Sequence, residues 1–290
     1  MPREPPRAVV APRGVAIRVA PRRGALQHGE GIGVTARGYR SRVHAAPSPG
    51  SPGAPLWDPT ATPAATVVVL RDGGSWGSEA GLEVLMLRRD TQLAFAGGAW
   101  VFPGGRIDPA DMAVGGDPEA AARVAAVREA AEEAALVLDP GSLRRWSHWT
   151  PPAESPRRRF STAFFVAPLA EGAAEVRVDD GEIREHRWQR PRAVMDARDE
   201  GSVTLTPPTF ITLCQLLEHR SVAEVLRAAE ARSAAAFEHF ATRVPSVMPS
   251  ADEIVVLYHG DAGYESGDAT LDGPRHRLIM GSTWRYERDT

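Results

Sequence analysis

The stretch from Trp100 to Leu138, WVFPGGRIDPADMAVGGDPEAAARVAAVREAAEEAALVL, constrains this chain more than any other. It opens on a β-favouring run, Trp100-Val101-Phe102. That run ends in Pro103-Gly104-Gly105, where the backbone can turn sharply and approach a ligand closely. A polar loop follows. The pattern then predicts an alanine-rich helix over 118–138, with Asp117 as its N-cap and Pro118 in its first turn. On that helix Arg128, Glu129, Glu132 and Glu133 read RExxEE. The glutamates stand at i, i+3 and i+4, so three carboxylates share one face. In an isolated helix such like-charge pairs cost roughly 0.2–0.5 kcal/mol each. Three converging oxygen donors suit a hard divalent cation, which completes its shell with waters and substrate phosphates. A solvated acidic face is the bland alternative for the helix alone.

Together, PGG, a loop and REAAEEAALVL resemble the signature of the Nudix hydrolases, GX5EX7REUXEEXGU, where U is bulky and apolar. Several positions depart from it. The family spacing from Gly105 puts the arginine at 119, whereas it stands at Arg128, so the loop carries nine extra residues. The early box glutamate falls on Asp111 counted from Gly105, or one residue away from Glu119 counted back from Arg128. Ala130 occupies the first U, and Ala135 stands where the family has its late glycine. The wider run LRR…FAGGAWVFPGGRIDPAD resembles the split-box coenzyme A diphosphatases of the peroxisomal type and their bacterial relatives.

That resemblance implies an α/β (α+β) fold, a Nudix α/β/α sandwich with a mixed β-sheet and C-terminal helices. It implies Mg²⁺ or Mn²⁺ held by Glu129, Glu132 and Glu133 with the Gly104 carbonyl, and Arg128 orienting a carboxylate. A further ligand or general base is expected from the acidic segment 179–188, with Glu182 preferred over Glu185; the base itself stays open between Glu182 and the helix glutamates. The implied reaction is metal-dependent hydrolysis of a phosphoanhydride in a nucleoside diphosphate linked to another moiety. Coenzyme A or acyl-CoA comes first, cut to phosphopantetheine and adenosine 3′,5′-bisphosphate. ADP-ribose or NADH is the runner-up. A catalytically inactive nucleotide-binding module is the third reading, favoured by Ala135 in place of glycine, since alanine there is cheap only at negative φ. Arg106 and the run Arg157-Arg158-Arg159 are candidates to hold substrate phosphates, because guanidinium groups bind them in bidentate fashion. A solvated loop explains that run equally well.

The remainder sets the frame. Hydrophobic residues at 43%, charged residues at 24% and a formal charge of −3 are globular values with no sign of a nucleic-acid or membrane-surface protein. A small-molecule nucleotide is therefore the expected partner, and a homodimer is admissible. A single cysteine, Cys214, in the apolar run FITLCQLL, suits a reducing cytoplasm and a buried thiol. Apolar stretches are too short for a transmembrane helix. Residues 1–60 form a basic Pro/Gly/Ala/Arg-rich tail expected to be disordered, and residues 61–290 the Nudix domain with a helical and β-hairpin extension. Within it, Ala65–Leu70 and Leu82–Arg89 read as a strand pair, and Leu143–Trp149 and Phe160–Leu169 as further strands. Segment 179–188 reads as an acidic turn entering a short strand. Helices are expected after Pro207-Pro208 and from a capping box at Ser221, continuing through Ala236. Glu253–Tyr258 returns to strand, and a hairpin pairs Arg277–Met280 with Thr283–Tyr286 across Gly281-Ser282.

Overall fold

The computed structural model describes residues 57–73, 81–93, 96–155, 158–170, 172–173, 175–178, 181–235 and 237–289. The sheet grows from β1 (Thr62–Gly73), whose β-branched run is buried on both faces. Val67 and Val69 point to one side with Ala65, and Val68 and Leu70 to the other, so one strand feeds two separate cores. β2 (Gly81–Arg89) pairs antiparallel with β1, as the strand-pair expectation required. β3 (Trp100–Val101) and β4 (Gly104–Arg106) follow, then α1 (Pro109–Gly115) and α2 (Pro118–Ala134). β5 (Arg144–Thr150), β6 (Phe160–Pro168) and β7 (Ile183–Gln189) come next. After them lie α3 (Pro191–Asp199), α4 (Pro207–Leu216), α5 (Val222–Ala235) and β8 (Glu238–Ala241). The chain closes on β9 (Ile254–Leu257), β10 (His276–Met280) and β11 (Trp284–Arg288).

The main sheet runs β3-β2-β1-β6-β5-β8, with β4 pairing β1 and β7 pairing β2. β1 and β6 are parallel while β1 and β2 are antiparallel, so the sheet is mixed. On one face lies α2, its buried Ala122, Ala125, Ala126, Ala130 and Ala134 packed with Val67, Val69, Leu85 and Leu87. Methyl-sized side chains let that helix approach the sheet closely. The other face carries α3, α4 and α5 and one side of the β9–β10–β11 sheet, through Trp146, Phe210, Ile211, Phe240 and Tyr258. This is the expected three-layer α/β arrangement. Cys214 is buried in that second core, and burial pushes its thiol up to about 12, which leaves it inert at neutral pH.

Several details differ from the sequence reading. The polar loop contains α1, a helix too short to show a 3.6-residue period. Gly104-Gly105 sits in an extended strand, not only in a turn. α3 and β8 were not expected, and β9 adds a third strand to the C-terminal hairpin. Among the described residues the chain is already packed at Trp57, ahead of residue 61. The Trp57 ring packs against the α2-side core, and Asp58 pairs with Arg159 at 2.6 Å. Residues 1–56 of the expected tail lie outside the described residues.

Asp117 caps α2 as expected, accepting from the amides of Glu119 and Ala120. The helix nevertheless stops at Ala134, four residues short of Leu138. Ala135 takes the left-handed conformation, φ 56° and ψ 28°, and its amide turns back on the Ala131 carbonyl at 3.0 Å. Left-handed backbone strains any residue with a Cβ by about 1–2 kcal/mol. The negative φ at which alanine would be cheap is therefore not found. Ala135→Gly should raise stability to chemical denaturation by about 0.5–1 kcal/mol, once glycine's greater unfolded-state freedom is offset.

Candidate active site

The site forms where α2 crosses β4. Gly104 and Gly105 pair with Thr66 and Ala65 of β1, which fixes the glycines beneath the last turns of the helix. Gly104 must lack a side chain, and Gly105 leaves Glu129 where it stands only by lacking one. A Cβ on Gly104 would lie 2.5 Å from the Ala65 carbonyl oxygen, and one on Gly105 would lie 2.3 Å from Glu129 Oε1. The glycines let strand, strand and carboxylate close up on one another.

Arg128 holds the acidic side chains together. Its Nε and Nη2 donate to Asp111 Oδ1 and Oδ2 at 3.1 and 2.9 Å, a bidentate pair. Nη1 donates to Glu129 Oε1 at 2.9 Å and to Glu132 Oε2 at 3.0 Å, and Nη2 also reaches the Arg106 carbonyl at 2.9 Å. Burial would raise the Asp111 carboxyl, but the hydrogen bonds from Arg128 and the Asp108 amide, with the charge of Arg128, together outweigh it and hold the group below its ordinary range. The same partnership raises the Arg128 guanidinium above its usual value. Of the two positions open for the early box glutamate, Asp111 on α1 is the one that meets Arg128. Glu119 instead pairs with Arg123 and Arg145.

Glu133 is the most buried of the helix carboxylates. Its Oε2 accepts from the Gly104 amide at 3.0 Å, and its Oε1 stands 3.9 Å from Arg89 Nη1. Loss of water pushes its carboxyl up to about 8, against the pull of the Gly104 amide, with the charge of Glu129 adding to the rise. Glu129 is raised too, first by burial and further by the neighbouring charges of Glu132 and Glu182, while Arg128 opposes. Glu182, ahead of β7, reaches the cluster through Arg89 Nη2 at 3.1 Å. Glu185 points elsewhere, pairing with Arg88 and Arg187.

Not every expected residue is gathered in. Among the described residues no three His, Cys, Asp or Glu side chains converge closely enough to hold a metal ion. Glu132 is drawn towards Arg128 and Glu133 towards Gly104, so the three glutamates share a face without meeting at one point. The donor set still fits a hard cation: Glu129 and Glu133 are both pressed out of water and the charge of Glu129 raises the proton affinity of Glu133, which a divalent ion would relieve. Gly104 touches the glutamates through its amide. Arg159 is not available to phosphates: it ties Asp58, Thr60 and the Pro151 carbonyl together and is a structural clamp. Arg158 bonds Thr62 and lies over Phe160, and Arg157 lies outside the described residues. Arg106 is exposed beside the site, 3.9 Å from Asp108. Arg89 was read only as part of a strand, because nothing in a linear sequence reports what faces a strand's last residue.

A family model described as NUDIX domain matches residues 60–206, just over half of the 290-residue chain. Among curated proteins, the chain is 28% identical to an acyl-coenzyme A diphosphatase, NUDT19, of Gallus gallus, over 44% of this chain and 34% of that protein. It is 28% identical to putative nudix hydrolase 7 of Caenorhabditis elegans, over 49% of this chain and 61% of that protein. The chain thus spans a third to three-fifths of the length of these relatives. A NUDIX hydrolase structure from Alicyclobacillus acidocaldarius aligns with a TM-score of 0.53 at 25% identity, covering 58% of this chain and 96% of that one.

The buried Glu133 carboxyl makes a testable statement about pH. Its folded-state pKa, about 8, exceeds the ordinary 4.5, so the folded protein holds a proton that the unfolded chain has released. In chelator its contribution therefore falls as pH rises from 4.5 to 8. Glu133→Gln should be more stable than the parent at pH 8 by on the order of a few kcal/mol, with the difference vanishing towards the lower end of that window. Denaturant titrations across the window measure it.

Proposed function

Because the chain belongs to the Nudix family, we propose that it is a divalent-metal-dependent pyrophosphohydrolase acting on a nucleoside diphosphate linked to another moiety. One observation carries the reading: Arg128 fixes Glu129 and Glu132, with Glu129 against Gly105, while Glu133 is held desolvated on the Gly104 amide. Coenzyme A or an acyl-CoA is the first substrate class, supported by the NUDT19 relatives and by the split box. ADP-ribose and NADH carry the same adenosine diphosphate unit and come second.

The residues divide the work. Glu129 and Glu133, with Glu132 beside them, would hold Mg²⁺ or Mn²⁺. Such an ion polarises phosphate oxygens and a water, and offsets charge on the leaving group. Arg128 keeps Glu129 and Glu132 in place, and Asp111 keeps Arg128 in place. Glu182, tied to the helix face through Arg89, is the candidate general base alongside the helix glutamates. Arg106, exposed at the rim, is positioned to meet a substrate phosphate. Ala135 no longer favours an inactive module. Its left-handed backbone takes the conformation a glycine would supply, so the helix ends as the family pattern requires.

The test is an Mg²⁺ and Mn²⁺ panel against coenzyme A, acetyl-CoA, ADP-ribose and NADH, with products separated chromatographically. Adenosine 3′,5′-bisphosphate from coenzyme A is the expected product. Turnover of ADP-ribose alone would keep the chemistry and discard the substrate, and no metal-dependent turnover of any of the four would contradict the reading. Glu129→Gln and Glu133→Gln should each lower kcat by about 100-fold or more, the scale of losing one charged group at a reacting centre. Near-parental rates in both would remove the assignment of these residues.

A further inference from the structure

Arg89 ends β2 with its guanidinium between two carboxylates from different parts of the chain. Nη2 donates to Glu182 Oε2 at 3.1 Å, and Nη1 lies 3.9 Å from Glu133 Oε1. Its side chain is only 17% exposed, whereas that of Glu182 is 59% exposed. The exposed partner is therefore the one being held. The backbone at this corner is locked as well: the Arg89 amide donates to the Ala99 carbonyl at 3.0 Å, and the Asp90 amide donates to the Glu182 carbonyl at 2.7 Å. Arg184 adds an ion pair to Asp90. Glu182 and Glu133 are both carboxyl side chains with no attraction of their own for each other, and Arg89 is the cation they share. The arginine also carries a cost. Its Nε is buried with no hydrogen-bond partner among the described residues, an arrangement that costs folding energy.

We infer that Arg89 is a positioning residue that bridges Glu182 to Glu133, joining the segment ahead of β7 to the carboxylate face of α2. The inference rests on the reading of that face as a catalytic centre. It makes the contribution of Glu182 depend on Arg89: without the guanidinium, the carboxylate loses its tie to the carboxylate face of α2.

The experiment is a double-mutant cycle on the full chain with Arg89→Met, Glu182→Gln and their combination, together with Arg89→Lys. Methionine keeps the stem's packing without the charge. Against whichever nucleotide the parent cleaves, Arg89→Met and Glu182→Gln should each lower kcat by about 10-fold or more with little change in KM. The double variant should be no slower than the worse single, and Arg89→Lys should recover part of the loss. Hydrogen exchange on the metal-free protein supplies a readout independent of turnover. Amides at 181–183 should exchange faster in Arg89→Met, while those of α2 keep their parental protection. Multiplying losses in the double variant, a rise in KM alone, or unchanged exchange at 181–183 would each overturn the inference. Should Arg89→Met not fold, the same cycle run with Arg89→Lys decides it. A parent that cleaves nothing sinks the proposed function, and with it any positioning role; a parent that cleaves normally beside an unperturbed Arg89→Met sinks only the bridge.

Discussion

Everything at this site depends on one guanidinium. Four acidic side chains, Asp111, Glu129, Glu132 and Glu133, crowd the end of α2 and the helix before it, and their mutual repulsion has to be met from within the protein. Arg128 meets most of it, spending its donors on Asp111, Glu129, Glu132 and the Arg106 carbonyl. An ammonium group would not serve. Only a planar fork reaches a bidentate partner on one side and two separate carboxylates on the other. Buried beside it, Asp111 makes the fork rigid; it stands at the family spacing from Gly105, so the nine extra residues lie between it and Arg128, across the end of α1 and the start of α2.

The sheet makes that arrangement possible by allowing a close approach. α2 faces the sheet with alanine, and β4 faces α2 with glycine, so backbone meets carboxylate with no side chain between. The closeness has an energetic consequence. Glu133 loses water and gains only one amide and a distant cation in exchange, which is why its proton is held so firmly. A fold built only for stability would not keep a carboxylate there. Sites that bind charged ligands often carry such a debt until the ligand arrives.

Much of this was legible in the sequence. RExxEE at helical spacing put the carboxylates on one face, apolar runs marked β1, β2 and β6, and Asp117-Pro118 marked the start of α2. What was hidden is instructive in kind. α1 is too short for its period to stand out, and the end of α2 turns on the backbone angle of Ala135, which composition does not reveal. Arg159 looked like a phosphate ligand because three adjacent arginines suggest one, yet its partners come from Asp58, 101 residues away. Arg89 looked like an ordinary strand end for the same reason: long-range pairing decides what a cation does.

The most direct test of the account is a crystal structure of the Mn²⁺-loaded protein, with the metal located by its anomalous scattering. The account predicts a peak between the Glu129 and Glu133 carboxylates, next to Gly104, with Arg128 still paired to Asp111. An ordered Mn²⁺ bound elsewhere, or a metal-saturated protein whose glutamates keep only their ion pairs with Arg128 and Arg89, would contradict it.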